Sequence, residues 1–423
     1  MKPTLRSALR RGGTPVLLGL ALLALAAPSQ AAASVADPLP GSTRFTVRPP
    51  DQAAVRQVKS LLRADRTRDA ALVAKMLATP QADWFTDGTP REVRRDVRST
   101  VRRATRTKTV PTLVLYNVPG RDCSQYSSGG AGSDQAYRAW IDGVAAGLRP
   151  HGRVVVVVEP DGLANLPSDC PAAYPGQDVA ALTAGRIADI RYAGQALREA
   201  NPDALVYLDA GHSAWHSVGD MAQRLDQAGV RDVQGFSLNV SNYQATPQLR
   251  SYATWVSKCL YYANNPADGG SHLGRYGDCA SQYYPASPDD FSTWPLSDAW
   301  YAEHVDQAAN PPSGPGDLAH AVLDTSRNGR GPWTPTAGYP DPQTWCNPPG
   351  RGLGARPTAR TGDPLIDAYL WIKTPGQSDG QCNRGIAGST TDPEWGDRQD
   401  PAAGAWFPRQ ALQLARLAQS GRG

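Results

Sequence analysis

The run Val154-Val155-Val156-Val157-Val158, followed at once by Glu159-Pro160-Asp161-Gly162, decides the fold. Five β-branched residues without polar alternation read as a strand covered on both faces, and such strands belong to parallel sheets flanked by helices. Working outward, short β-rich apolar runs recur at Ala82 to Phe85, Thr112 to Asn117, Leu205 to Leu208, Gly235 to Asn239, Ala319 to Asp324 and Ala368 to Lys373. With Val154 to Val158 they make seven strands. The stretches between them, among them Ser133 to Leu148, Ala180 to Ala200 and Met221 to Ala228, have helical length and periodicity. Strand and helix in alternation predict an α/β fold with a parallel sheet. Polar clusters follow nearly every strand instead of gathering at one switch point, which favours a closed or nearly closed barrel over an open doubly wound sheet.

The composition agrees with one large folded unit. The chain has 423 residues, 40% of them hydrophobic, with 11 Trp and only 19% charged residues. That supports a sizeable core and excludes a disordered chain. The 41 Gly and 37 Pro have no collagen-like period and point to many ordered loops. At the N-terminus, Lys2, Arg6, Arg10 and Arg11 precede the apolar run Val16 to Ala27 and the small residues Ser29-Gln30-Ala31. This is the layout of a secretory signal peptide. The run is too short for the ~20 residues that span a bilayer. The expected organisation is therefore a signal peptide over 1–31, a leader over 32–50 and a catalytic domain over 51–423. The expected product is secreted and extracellular, a monomer without membrane attachment after cleavage. Residues 1–31 hold four cations and no acid, so removing them takes the formal net charge from +4 to zero. The basic stretch Arg91 to Lys108 places Val93, Val97 and Val101 on one seam, a surface helix with a solvated Arg face rather than a nucleic-acid site.

Six cysteines lie in the exported part, which suggests three disulfides, although six Cys allow 15 pairings. None forms a CxxC pair. His212 and His216 have the spacing of a zinc pair, but the glutamate of HExxH is missing. Neither metal nor cofactor is expected. Gly129-Gly130-Ala131-Gly132 lacks the Lys-Ser/Thr of a phosphate loop, and Gly376-Gln377-Ser378-Asp379-Gly380 matches G-x-S-x-G without the helix that should follow it.

Function is read from the residues just beyond each strand. The second strand runs into Tyr116-Asn117-Val118-Pro119-Gly120-Arg121-Asp122-Cys123, and the third into Glu159-Pro160-Asp161. The fourth ends in Asp209-Ala210-Gly211-His212-Ser213-Ala214-Trp215, the fifth in Asn239-Val240-Ser241-Asn242-Tyr243, and the sixth in Asp324-Thr325-Ser326-Arg327. The seventh ends in Lys373 to Gly380. In parallel barrels the C-terminal rim carries the chemistry, so carboxylates and tryptophans converge there. Glycoside hydrolysis suits such a rim. It needs a protonated carboxyl for the leaving oxygen, an ionised carboxylate for water, and aromatic faces for sugar rings.

The ordered motifs YNVPGRDC, VEPDGLANL, YLDAGHSAWH, NVSNY, DTSRNGRGPW, WCNPPGRGLG and WIKTPGQSDG resemble glycoside hydrolase family 6, the inverting β-1,4-glucanases, over roughly Trp84 to Ala418. The resemblance implies a distorted seven-stranded parallel β/α barrel and hydrolysis of β-1,4-linked glucan with inversion. It implies Asp161 as general acid, Asp122 as the group that sustains its protonation and helps move a proton from water, and Asp379 as base or charge stabiliser. Asp209 is implied as a supporting carboxylate. Inverting geometry sets the acid and base carboxyls roughly 6.5 to 9.5 Å apart. Tyr116 and Ser128 match positions that order the water and crowd the sugar. Lys373, Trp345, Trp215, His212, Asn242 and Arg327 match substrate-contact or rim-support positions. The family's two disulfides correspond to Cys123 with Cys170 and Cys346 with Cys382, and Cys259 with Cys279 would be an extra bridge. Gln377 stands where the family commonly has Glu; the missing charge lets Asp379 ionise more readily and should alter the pH profile.

Two long connections, Tyr243 to Asp324 and Gln381 to Gly404, bear on the mode of action, since long loops can roof a cleft into an exo-acting tunnel. The early motifs look closer to endo-acting members, and an endoglucanase is the reading, with an exo-acting cellobiohydrolase as the alternative. A carbohydrate-binding protein that kept the groove and lost turnover is the reading from another class; the four intact Asp speak against it.

Overall fold

The computed structural model describes residues 39–149, 152–266 and 270–418, which lie within one compact unit, Ser34–Gly423. The expected signal peptide and the start of the leader fall outside the described residues. Seven strands form one parallel sheet in sequential order: β1 (Asp83–Phe85), β2 (Thr112–Leu115), β3 (Val154–Val158), β4 (Ala204–Asp209), β5 (Gly235–Leu238), β6 (His320–Asp324) and β7 (Ile366–Leu370). The sheet curls without β1 and β7 pairing as strands. The gap is bridged by the Ala82 N–H, which donates to the Trp371 carbonyl at 3.0 Å, and by Trp84 Nε1, which donates to the Ile372 carbonyl at 2.8 Å. Around it run α1 (Gln52–Arg63), α2 (Thr67–Leu77), α3 (Pro90–Thr107), α4 (Asp134–Gly147), α5 (Val179–Ala200), α6 (Val218–Gln227), α7 (Thr246–Asn264), α8 (Pro295–Tyr301) and α9 (Pro408–Arg416).

The valine run shows why this sequence curls into a covered barrel. Val154, Val156 and Val158 pack with the helices, against Trp140, Ile141, Ile190 and Leu197. Val155 and Val157 face the interior with Val114, Leu205, Tyr207, Val322 and Leu370. All five are buried. At roughly 1.5–3 kcal/mol per buried side chain, this strand contributes on the order of 10 kcal/mol before chain entropy is subtracted.

The α3 helix forms as its sequence predicts. Thr89 and Glu92 cap it reciprocally, Pro90 begins it, and Val93, Val97 and Val101 are buried while Arg91, Arg94, Arg95, Arg102 and Arg106 stay exposed. The leader, by contrast, is integral to the fold from its first described residue. Leu39 and Phe45 join the interior cluster, Phe45 bridges Val110 in parallel, and Arg48 Nη1 donates to Thr374 Oγ1 at 2.9 Å. Three disulfides close, Cys123–Cys170, Cys259–Cys279 and Cys346–Cys382. Among the described residues no helix is long and apolar enough to cross a membrane.

Candidate active site

The backbone departs from ordinary strand geometry at the C-terminal rim. Asp122, Cys123, Glu159, Asp161, Asn239 and Ser241 all have positive φ, just beyond β2, β3 and β5. Non-glycine residues enter this region at a steric cost, and such strain gathers where side chains must be aimed. Here buried hydrogen bonds hold it in place. Glu159 is fully buried, and its carboxylate accepts from the Asn117 N–H at 2.9 Å and the Val118 N–H at 3.0 Å. It thereby fixes the loop that leads to Asp122. Burial nevertheless raises its pKa to about 7 against those two bonds.

A cleft of about 370 Å³ opens on this rim. Its lining includes Asp122, Asp161, Asp379, Tyr116, His212, Trp215, Asn242, Trp345 and Lys373, so nine of the twelve residues expected in catalytic, substrate-contact or rim-support roles share it. Asp209 lies directly beneath, 1% exposed. Ser128 is exposed and does not line the cleft, whereas Ser127 does, and the Ser127 N–H donates to Asp122 Oδ2 at 2.5 Å.

The carboxyls divide into two kinds. Asp161 keeps one oxygen, Oδ1, sealed from solvent and, among the described residues, without a hydrogen-bond partner. Burial first, then the charges of Asp209 and Asp122, push its pKa well above the usual carboxyl range. Asp209 Oδ1 accepts from the Asp161 N–H at 2.9 Å and the Gly211 N–H at 3.0 Å, and its Oδ2 accepts from the Ser237 hydroxyl at 2.8 Å. Burial pushes Asp209 up to about 7, but three donors favour its ionised form, so in this coupled pair the proton belongs on Asp161. Burial also raises Asp122.

Asp379 is the opposite case. Burial opposes its charge, but Arg327 Nη1 at 2.9 Å and Lys373 Nζ at 3.1 Å overrule it and lower its pKa. The Tyr243 hydroxyl at 3.1 Å and the Asn347 N–H at 3.0 Å also donate to Asp379 Oδ2. Arg327 is fully buried, lies 4.3 Å from the centre of the Tyr243 ring, and donates to the Ser241 carbonyl.

Second-layer groups fix both loops. Asn347, fully buried, accepts from the Asp379 N–H at 2.8 Å and donates through Nδ2 to Ser378 Oγ, the Gly380 carbonyl and Asp400 Oδ2 at 2.8 to 2.9 Å. Gly380 has φ +148°, and a Cβ there would fall 2.4 Å from Cβ of Tyr126, so only glycine lets the Asp379 loop meet the Asp122 loop this closely. Gln377 forms an antiparallel bridge with Trp406, outside the cleft lining.

Sequence reasoning missed Trp84, Tyr243, Gln125 and Asn165 in the cleft, and Glu159 and Asn347 behind it. Tyr243 lies beyond β5 and is open to the rule that found Trp215, whereas Trp84 sits within β1 itself. Glu159 directly follows β3 and is open to the same rule, while Gln125, Asn165 and Asn347 depend on loop geometry that no local pattern encodes.

His212 and His216 do not act as a pair. His212 Nδ1 accepts from the Ala214 N–H at 3.2 Å, with its pKa lowered to about 4 by burial, while His216 Nδ1 contacts Asp220 at 2.7 Å. Among the described residues the one acidic and cysteine group close enough to share an ion is Cys382, Asp392 and Asp400, where the sulfur is committed to a disulfide and Arg384 pairs with Asp392.

The family model for Glycosyl hydrolases family 6 matches residues 41–418. Endoglucanase A of Thermobispora bispora is 36% identical over 307 residues, 72% of this chain and 52% of that protein. The probable 1,4-beta-D-glucan cellobiohydrolase C of Neosartorya fischeri is 31% identical over 322 residues, 71% of this chain and 60% of that protein. The chain thus spans little more than half the length of these curated relatives. Among solved structures, the endoglucanase Cel6 of Mycobacterium tuberculosis, bound to methyl-cellobiosyl-4-deoxy-4-thio-β-D-cellobioside, aligns with TM-score 0.62 and 32% identity, covering 92% of this chain and 99% of that one.

Proposed function

This chain belongs to glycosyl hydrolases family 6, and from that membership and the cleft geometry we propose that it is a secreted β-1,4-glucanase that hydrolyses cellulose or a related β-glucan with inversion, in endo mode. The observation that carries the reading is the pairing of one buried carboxyl pushed towards its protonated form, Asp161, with one held ionised by two cations, Asp379, in a single aromatic-lined cleft. Opposite protonation preferences are what acetal cleavage requires.

Asp161 donates its proton to the glycosidic oxygen as the bond to the anomeric carbon breaks. Water attacks the opposite face of that carbon and loses a proton to the carboxylate side of the cleft. Asp122 is the better acceptor, because its raised pKa makes it more basic and, among the described residues, only its Oδ2 is engaged, by one N–H. Asp379, saturated with donors, suits the charge-stabilising role: it offsets positive charge at the oxocarbenium-like centre. Trp215, Trp345, Trp84 and Tyr116 offer faces and edges to the sugar rings, with Lys373 and Asn242 as polar contacts and His212 beside Trp215.

Endo action is supported by the course of the two long connections. Among the described residues, only Tyr243 and Gln244, at the very start of the Tyr243 to Asp324 connection, line the cleft, and nothing from Gln381 to Gly404 does, which supports an open groove over a tunnel. Most of the first connection packs instead against α6 and α7, through Tyr276 and the Cys259–Cys279 bridge.

Proton NMR of the first product tests the chemistry, with the α-anomer expected; a β-anomer defeats inversion. A rapid fall in carboxymethylcellulose viscosity per reducing end is expected for endo cleavage. Slow viscosity loss with cellobiose as sole product favours the exo reading.

A further inference from the structure

Seven large apolar side chains stand exposed among the described residues, and four of them, Tyr283, Tyr284, Phe291 and Leu296, fall within the single stretch 283–296 of the α7–β6 connection. Tyr284 is 81% exposed. The stretch is nevertheless firmly built. The Ser281 N–H donates to the Tyr284 carbonyl at 2.7 Å, the Ser297 hydroxyl to the Ser281 carbonyl at 2.7 Å, and the Tyr301 hydroxyl to the Ala280 carbonyl at 2.8 Å. Trp294 is buried beneath it, in ring contact with Trp255 at 5.0 Å and Phe291 at 5.1 Å. A scaffold that buries one aromatic and presents others is a surface with a use, because lone exposed apolar residues are ordinary but clusters are not.

Its position points to that use. Gln282 Nε2 donates to the His216 carbonyl at 2.8 Å, the Tyr252 hydroxyl reaches the same carbonyl at 3.0 Å, and the Tyr283 hydroxyl donates to the Trp215 carbonyl at 3.3 Å. Trp215 lines the cleft and stacks on His216, ring centres 5.9 Å apart. The stretch thus abuts the backbone that carries Trp215 into the cleft. Its charge narrows the partner: residues 280–298 contain Asp289, Asp290 and Asp298 but no Lys or Arg, which disfavours nucleic acid, an anionic lipid surface or an acidic polymer. A neutral chain with apolar ring faces and hydroxyl edges fits both the aromatics and the neighbouring carboxylates.

We propose that Tyr283, Tyr284 and Phe291 form an accessory surface site for a neutral β-1,4-linked glucan, continuing outward from the Trp215 end of the cleft. It holds polymer on the enzyme beyond the segment being cleaved. The proposal rests on the glucanase reading above.

The test is adsorption of the full chain to insoluble cellulose at 4 °C, comparing wild type, Tyr284→Ala, the Tyr284→Ala/Phe291→Ala pair, and Leu62→Ala as an exposed apolar control on α1. Tyr284→Ala should lower the partition coefficient at least fivefold and the pair further, with melting temperatures unchanged and Leu62→Ala within twofold of wild type. Wild-type failure to adsorb, or adsorption by the pair within twofold of wild type, overturns the site. So does sedimentation showing a wild-type dimer that Tyr284→Ala dissociates, since a second copy would then cover the patch. Sugar release from soluble carboxymethylcellulose by wild type reports on the glucanase reading separately: its absence sinks that reading, whereas its presence with unchanged adsorption of the pair sinks only the accessory site.

Discussion

Replacing Asp161 with Asn separates chemistry from architecture. The side chain keeps its size. The Asp161 N–H still reaches Asp209 Oδ1, and the Asp161 carbonyl still accepts from the Asn165 N–H at 2.7 Å. The φ of +63° lies in the left-handed region that Asn tolerates better than most residues, so stability at pH 5 should change by no more than about 1 kcal/mol. Turnover should not survive so well: loss of a positioned general acid costs ~10²–10⁴ in rate, about 3–5 kcal/mol of transition-state stabilisation. The assay pairs carboxymethylcellulose with a 2,4-dinitrophenyl β-cellotrioside, whose leaving group departs with little protonation. The deficit should shrink to under about tenfold on the activated substrate. Stability gives a second readout. The wild-type carboxyl, raised in the folded state, holds a proton that the unfolded chain loses above about pH 4, so wild-type stability falls as pH rises from there towards the folded pKa. Asn has no such dependence, and the variant's melting temperature should gain on wild type between pH 5 and 8. Equal deficits on both substrates, or a melting difference that is flat with pH, would refute the assignment of the buried proton to Asp161.

Three other outcomes rest on the same contacts. Lys373→Gln removes a cation that lowers the pKa of both Asp122 and Asp161, so both limbs of the kcat/KM profile should move to higher pH together; a shift of one limb alone counts against the pairing of acceptor and donor proposed above. Asn347→Ala leaves the Asp379 N–H without its acceptor and Asp400 Oδ2 without its donor in a buried setting, so unfolding should become easier by at least about 3 kcal/mol, measured by urea titration, with activity falling as the Asp379 loop loosens. Phe45→Ala should cost about 3 kcal/mol by thermal melting, because the leader packs into the barrel interior; a change under about 0.5 kcal/mol would make it a detachable arm after all.

How much was legible depended on whether a feature is written locally. The central strands were, because a strand buried on both faces reads as a near-continuous apolar run, and Val154–Val158 begins and ends where its sequence predicts; β1, half-buried throughout, and β7, which carries Asp367, were legible from their place in the alternation with helices. The expectations overran at the rim: Thr112 to Asn117 pairs only as far as Leu115, and Ala368 to Lys373 is displaced to Ile366–Leu370. Asn117, Ile372 and Lys373 remain buried, so their composition matches a strand, but their N–H groups leave the ladder for the carboxylates of Glu159 and Asp324. Polar side chains have replaced neighbouring strands as hydrogen-bond partners, and no hydropathy pattern marks that exchange.

The same exchange explains why the rim is both strained and reactive. Each carboxylate that ties off a strand end, Glu159 for β2, Asp209 for the turn after β3 and Asp324 for the ends of β5 and β7, sits buried among backbone N–H groups and carries a raised pKa. The barrel therefore concentrates negative charge beneath the cleft as a consequence of terminating its strands. Two cations, Arg327 and Lys373, make their direct ion pairs with Asp379. Among the described residues Asp161 is left facing the anionic side without an ion-pair partner, its Oδ1 unengaged, and it is the group that must keep its proton. The position of the acid thus follows from how the fold closes its strands, which is why the motif after β3 carried so much of the functional reading from five valines and an Asp two residues beyond Glu159.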